Sequence, residues 1–335
     1  MTIVEASRIL PITSRASTPS LEGSLGMGLK GERSPARPPL DPVECLVCLI
    51  HGRLQQVSGS LRMEADVLAY AAGLVASWPS RTEVFVSSYE YVERLIGVRD
   101  YYRSRKEELN KAALSSLPQI RIPETLPEAL EFMAAANGID ISMPGYKPGF
   151  ARLVKGLGEK PHYRGVARES LLDLEGASRL VVVLDNAGEA VFDMAASSKL
   201  SSRYGIELVF VARSEPYEID VTSSEAEELA GRLGLDARII ATGSRLPVFH
   251  PKALPESRRL VSDPSSIVLV KGIANLEAYM DFHEDFAGSR LLFLLRAKCN
   301  PLSRFFEVSM ADPIIASASY VKERLKNWRE GVLRG

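Results

Sequence analysis

Few features of this chain allow quick classification. Its three cysteines are too few, and odd in number, for a disulfide framework, which points to the reducing cytoplasm. The four histidines, His51, His162, His250 and His283, are dispersed, and none has the His-Glu-x-x-His spacing of a helical zinc site. There is no Gly-x-Ser-x-Gly elbow for a nucleophilic serine. Lysine plus arginine (41) balances aspartate plus glutamate (42), so no field of one sign argues for nucleic acid or an anionic membrane as partner. No apolar run reaches the roughly 20 residues of a membrane span, and the N-terminal stretch lacks the apolar core of a secretory signal. Oligomeric state has no signature here.

What is present divides the 335 residues into three parts. Residues 1–40 are rich in Ser, Pro, Gly and Arg without apolar periodicity, and read as a flexible tail. Residues 41–150 read as a helical subdomain: Leu61, Val67, Leu68, Ala71, Leu74, Val75 and Trp78 recur at helical spacing, and Tyr89, Val92, Leu95 and Ile96 begin a second such face. Pro144, Gly145, Pro148 and Gly149 mark an irregular connection to the rest. Residues 151–335 alternate strand-like runs (180–184, 206–212, 237–241, 266–270, 291–295) with helical segments near 189–203 and 223–233 and from about 275. That alternation predicts an α/β fold, a mostly parallel sheet with helices on its faces.

The stretch 178–189, S-R-L-V-V-V-L-D-N-A-G-E, organises the second half. A short run rich in β-branched residues is the pattern of a strand buried on both faces, and it ends abruptly in Asp185-Asn186 before a helix start. In a parallel sheet the crevice beyond the carboxyl ends of the strands binds ligands. The topology should bring Asp185 and Asn186 there, together with Asp220, Thr242, Ser244, Lys271, Arg296 and Lys298. Two carboxylates and an amide are hard oxygen ligands for a divalent cation such as magnesium or manganese. Lys271, Arg296 and Lys298 would supply positive charge for a phosphate. The combination suggests phosphoryl transfer. An aspartyl-phosphate mechanism usually wants a second acid two positions after the nucleophile, but position 187 is Ala, which favours activated water.

These residues also have plain structural uses. Asp185, Asn186 or Asp220 would serve as a helix cap, Asn137 and Asp140 as a helix terminator, and Glu189 as a favourable charge in a first helical turn. Cys45 and Cys48, three apart on one helix, read as two half-buried thiols, with no second pair to complete a zinc site.

The motifs carry a resemblance as well. D-N-A-G-E-A-V-F-D (185–193) resembles the signature of the damage-control phosphatases, metal-dependent enzymes formerly catalogued as domain of unknown function 89. V-A-R-S-E-P-Y-E-I-D-V-T (211–222), V-K-G-I-A-N-L-E (270–277) and L-L-R-A-K-C (294–299) resemble further family segments in the same order. C-L-V-C (45–48), D-Y-Y-R-S-R-K (100–106) and A-N-G-I-D (136–140) are similar to motifs of the group common in archaea. The resemblance implies a Rossmann-like three-layer α/β/α core with a helical N-terminal subdomain, and a phosphatase of small phosphorylated metabolites. It implies a divalent metal (Mn, Mg, Co or Ni) on Asp185, Asn186 and Asp220, and phosphate contacts from Lys271, Arg296, Lys298 and Asn137. Glu189 would orient a water beside the metal. Ile219 stands where the family usually has Asn, and Ala136 where it has Gly. Two other readings stay open: a methyltransferase using S-adenosylmethionine, for which D-N-A-G-E is a poor glycine loop, and a non-catalytic metabolite binder.

Overall fold

The computed structural model describes residues 42–77, 80–138, 146, 150–172, 177–286 and 290–334. The expected tail over 1–40, and Trp78, Asp140, Pro144, Gly145, Pro148 and Gly149, lie outside the described residues.

Helices α1 (Pro42–Val57), α2 (Leu61–Ser77) and α3 (Arg81–Ile96) come first and pack on one another. Helix α3 has sharp ends: the Ser80 hydroxyl accepts from the Glu83 N–H at 3.1 Å, and Gly97 closes the helix at φ 68°. The apolar face expected on α2 is narrower than its sequence suggests. Val67 and Ala71 are buried, whereas Leu61 is 84% and Leu68 44% exposed, because a single helical layer covers only one side of α2.

Helices α4 (Arg103–Ser116), α5 (Leu126–Ala136) and α6 (Phe150–Gly156) follow, then strand β1 (His162–Arg164). The remainder alternates as β2 (Arg179–Val183), α7 (Glu189–Tyr204), β3 (Glu207–Ala212), α8 (Ser223–Leu233), β4 (Arg238–Ala241), α9 (Pro255–Ser262), β5 (Ser266–Lys271), α10 (Ile273–Phe282), β6 (Arg290–Arg296), α11 (Asn300–Phe306), β7 (Pro313–Ser317) and α12 (Ala318–Arg334). All five expected strands form, and β1 and β7 extend the sheet to seven in the order β1-β7-β6-β5-β2-β3-β4. From β6 to β4 the strands run parallel, while β7 lies antiparallel to β6 and parallel to β1.

The apolar run of β2 feeds two cores at once. Leu180 and Val182 point into the layer with α5, α7 and α8, and Val181 and Val183 into the layer with α10, α11 and α12. A strand buried on both faces needs apolar side chains at every position, which explains the unbroken L-V-V-V. Helix α5 belongs to the first of these layers: it packs on α7, β6 and β7, and every residue from Leu126 to Ala136 except the exposed Glu128 is buried. No helix among the described residues is long and apolar enough to cross a membrane.

One charged residue pins α5 to the edge of the sheet. The Glu131 carboxylate, 6% exposed, accepts from Arg168 Nε at 2.6 Å, Lys160 Nζ at 2.7 Å and the Tyr163 hydroxyl at 2.8 Å. Burial alone would raise its proton affinity, but these donors outweigh it and hold the carboxyl below its ordinary value of 4.5. Its contribution is therefore present above that ordinary value and is lost as pH falls through the lower folded one. Glu131→Gln should cost about 1–3 kcal/mol in urea unfolding at pH 7, and the deficit should shrink below about pH 4. A deficit independent of pH would assign the loss to packing instead.

Candidate functional site

The chain proceeds from β2 outward to β3 and β4, then returns to place β5 and β6 on the other side of β2. The carboxyl ends of β2 and β5 therefore flank the sheet's topological switch point, where a crevice opens. Asp185 and Asn186 follow β2, and Lys271 ends β5 with Gly272 directly after it.

The loop after β3 folds back over the end of β2. Ala187 N–H donates to the Ile219 carbonyl at 2.8 Å and Val221 N–H to the Asp185 carbonyl at 2.9 Å, with Asn186 and Asp220 facing each other across this short bridge. That pairing brings Asp220 beside Asp185 and Asn186. It also assigns Ile219: the backbone serves the site, while the side chain, 2% exposed, joins the α5/α7 core. The capping alternative fails for all three polar residues. Helix α8 is capped by Thr222 in a capping box with Glu225, and α7 begins at Gly188 without a side-chain cap.

The side chains form one network. Asn137 Nδ2 donates to Asp185 Oδ2 at 3.0 Å and to Glu189 Oε2 at 2.8 Å, and its oxygen accepts from the Arg296 backbone N–H at 3.2 Å. That last bond turns the amide so that its nitrogen faces the acids. Asn186 Nδ2 donates to Asp185 Oδ2 at 2.8 Å. Lys298 Nζ stands 3.8 Å from Glu189 Oε1, and Arg213 Nε donates to Asp220 Oδ2 at 2.5 Å. A further contact is steric: a Cβ on Gly272 would lie 2.0 Å from Asp185 Cγ. Only a glycine lets the backbone pass so close to the carboxylate, and its φ of 79° also disfavours an L side chain.

Burial dominates the electrostatics. It pushes the Asp185 carboxyl up against the pull of Lys298, the Asn137 hydrogen bond and Arg213. Glu189 is pushed up to about 8 by burial, with Lys298 opposing. Asp220 rises to about 7 by burial, with Arg213 opposing and Asp185 adding. Buried acids this close together resist ionisation together, so the site favours additional positive charge.

The expected bases separate. Lys298 lines a cavity of about 360 Å³ together with Asp185, Asn186, Asp220 and Arg213. Lys271 does not line it: its ammonium donates to the Met133 carbonyl and pairs with Asp193 at 3.0 Å, where neither side chain is exposed. Arg296 departs from the phosphate contact expected of it. Its guanidinium donates to the carbonyls of Ala135 at 2.8 Å, Ala311 at 2.9 Å and Gly156 at 3.2 Å, and to Glu159. The physical reason is the buried C-terminus of α5, whose last carbonyls have no helical donor and take these two cations instead. Asn137, also expected at the phosphate, holds the acids in place. Thr242 and Ser244 are not on the cavity wall and bond each other in the turn after β4 at 3.0 Å.

Other residues acquire roles that motif reading did not assign. Arg213 binds Asp220, donates to the Arg245 carbonyl, and lies 4.6 Å over the Tyr217 ring. Within D-Y-Y-R-S-R-K, Lys106 bridges Asp100 at 3.1 Å and Glu225 of α8 at 2.7 Å, and Asn110 one turn on accepts from Gly188 N–H at 2.7 Å. This motif ties α4 to the site loops. Cys45, Cys48 and Cys299, none of them disulfide-bonded, line the same cavity. Among the described residues no three His, Cys, Asp or Glu side chains gather as a ready metal site, and the set at Asp185 has an amide as its third member.

The model of one protein family, the damage-control phosphatase ARMT1-like domain, matches residues 44–314. The chain belongs to this family. Family relatives include a damage-control phosphatase of Pyrococcus horikoshii, 22% identical over 280 residues (79% of this chain, 93% of the relative). Another, from Archaeoglobus fulgidus, is 25% identical over 249 residues (71% and 83%). An uncharacterised protein of Methanocaldococcus jannaschii is 22% identical over 295 residues (81% and 93%). The crystal structure of a DUF89 family protein from Pyrococcus horikoshii superposes with a TM-score of 0.67 at 20% identity, covering 82% of this chain and 98% of that one. The two chains share one fold.

Gly272 gives this arrangement a direct test. Gly272→Ala should destabilise the protein by more than the roughly 1–3 kcal/mol of backbone strain alone, since the Asp185 carboxylate must move. In the Asp185→Ala background the same substitution should cost only the backbone part. Equal costs in both backgrounds, read from a double-mutant cycle in urea, would contradict the close approach.

Proposed function

We propose that this protein is a metal-dependent phosphatase of small phosphorylated metabolites, working in the cytoplasm. The observation that carries the reading is the convergence of Asp185, Asn186, Asp220 and Lys298 on one cavity at the switch point of the sheet. The family of the relatives named damage-control phosphatases supports it.

The residues present fit a divalent cation. Two buried carboxylates and an amide are the donor set that Mg, Mn, Co or Ni accepts, and burial leaves Asp185 and Asp220 reluctant to ionise unless positive charge is added. Asp185, Asn186 and Asp220 would hold the ion, which would supply Lewis acidity toward a phosphoryl oxygen. Lys298 offers its ammonium to the phosphate from the cavity wall. Asn137, anchored in turn on Glu189, keeps the Asp185 carboxylate oriented. Lys271, paired with Asp193, adds buried positive charge next to Asp185. Water is the nucleophile: its oxygen bonds to phosphorus, the ester P–O bond breaks, and the proton the water gives up passes to the leaving alkoxide oxygen.

Phosphate release from sugar phosphates, nucleotides and an aryl phosphate, after stripping metal and adding back each cation, tests the reading. Release should require a divalent cation and fall at least about a hundredfold in Asp185→Ala and Asp220→Ala. Retained turnover in either folded variant, or release without metal, would overturn it.

A further inference from the structure

Besides Asp185, Asn186 and Asp220, the cavity wall carries three more acids. Glu44, Glu218 and Glu277 all line it. Each is paired with an arginine that does not: Glu44 with Arg304 at 3.1 Å, Glu218 with Arg53 at 2.7 Å, and Glu277 with Arg81 at 3.5 Å. Arg53 and Arg81 are 1% exposed, so they neutralise the acids from within the protein. Two buried ion pairs and the solvent-exposed Glu44–Arg304 pair thus each put the acid, and not the arginine, on the cavity wall. The bases on the wall, Arg213 and Lys298, are themselves matched to acids, Arg213 to Asp220 at 2.5 Å and Lys298 to Glu189 at 3.8 Å.

We propose that this cavity selects phosphomonoesters whose organic end carries an ammonium group or other hydrogen-bond donors, and rejects those carrying a second anion there. The inference rests on the phosphatase reading and names the substrate class. A carboxylate accepts hydrogen bonds and cannot donate them, so the glutamate wall satisfies hydroxyls and ammonium groups and leaves a second phosphate or carboxylate unpaired. Ile273 and Phe85 on the same wall lower the local polarity and strengthen both the attraction and the repulsion. Selection of this kind works by excluding the wrong ligand as much as by holding the right one. The volume of about 360 Å³ lies at the small end of ligand pockets, which suits a hexose-sized group.

The test uses the full chain loaded with manganese and three esters of one pyranose skeleton: glucosamine 1-phosphate, glucose 1-phosphate and glucuronic acid 1-phosphate. Both kcat/KM for phosphate release and equilibrium affinity are measured. The order should be amine, then neutral, then acid, with the amine favoured over the acid by at least about tenfold. Glu277→Gln should narrow that ratio, since Arg81 keeps Asp281 at 3.4 Å and the pocket retains its shape. An acid ester bound and hydrolysed as well as the amine would overturn the proposal, as would an unchanged ratio in the folded Glu277→Gln protein. If no ester is hydrolysed with any cation, the phosphatase reading fails while the affinity order still decides the selection. Absence of affinity for all three overturns the selection too.

Discussion

The rest of this structure depends on keeping carboxylates ionisable where there is almost no water. Asp185, Glu189, Asp193 and Asp220 are each at most 5% exposed, and unpaired charges in such surroundings are prohibitively unfavourable. Lys271, Lys298 and Arg213 offset part of this, and the Asn137 amide satisfies two of the acids at once. Four acids against three bases leave the neighbourhood short of positive charge, and this shortage is the physical case for a cation.

The supports of this cluster come from distant parts of the chain. Helix α5 presents Asn137 and is itself held at its C-terminal carbonyls by Lys271 and Arg296. Two basic residues that look like phosphate ligands thus secure the helix that orients the acids. Arg53 extends the support to the N-terminal helices: it reaches from α1 to Glu218, whose backbone is held at φ 45° two residues before Asp220. A residue at positive φ without glycine's freedom needs such an anchor. Fold and site are therefore coupled through buried ion pairs as well as through the apolar layers.

Much of this was legible in the sequence. The L-V-V-V run and the D-N-A-G turn announced β2 and the site together, because a doubly buried strand and a polar strand end each leave a local mark. The five parallel strands were legible for the same reason. Strands β1 and β7 were not: three and five residues long, at the sheet's far edge, they exist only through pairing with distant partners. Which base faces the cavity was equally hidden. Lys271, Arg296 and Lys298 all follow buried strands, and only the position of the α5 C-terminus separates Lys298 from the other two. Gly272 was readable as part of a motif, but its role comes from the Asp185 carboxylate lying against it, a relation set by the register of β2 and β5. The convergence of Cys299 on Cys45 and Cys48 likewise depends on how α1 meets the loop after β6.

The most direct measurement is anomalous diffraction from crystals of the full chain soaked in manganese, recorded on both sides of the manganese absorption edge. The account predicts one strong peak among the side-chain oxygens of Asp185, Asn186 and Asp220, lost in crystals of Asp185→Ala. A peak elsewhere, or none at these residues when the soaked protein binds manganese in solution, would contradict it.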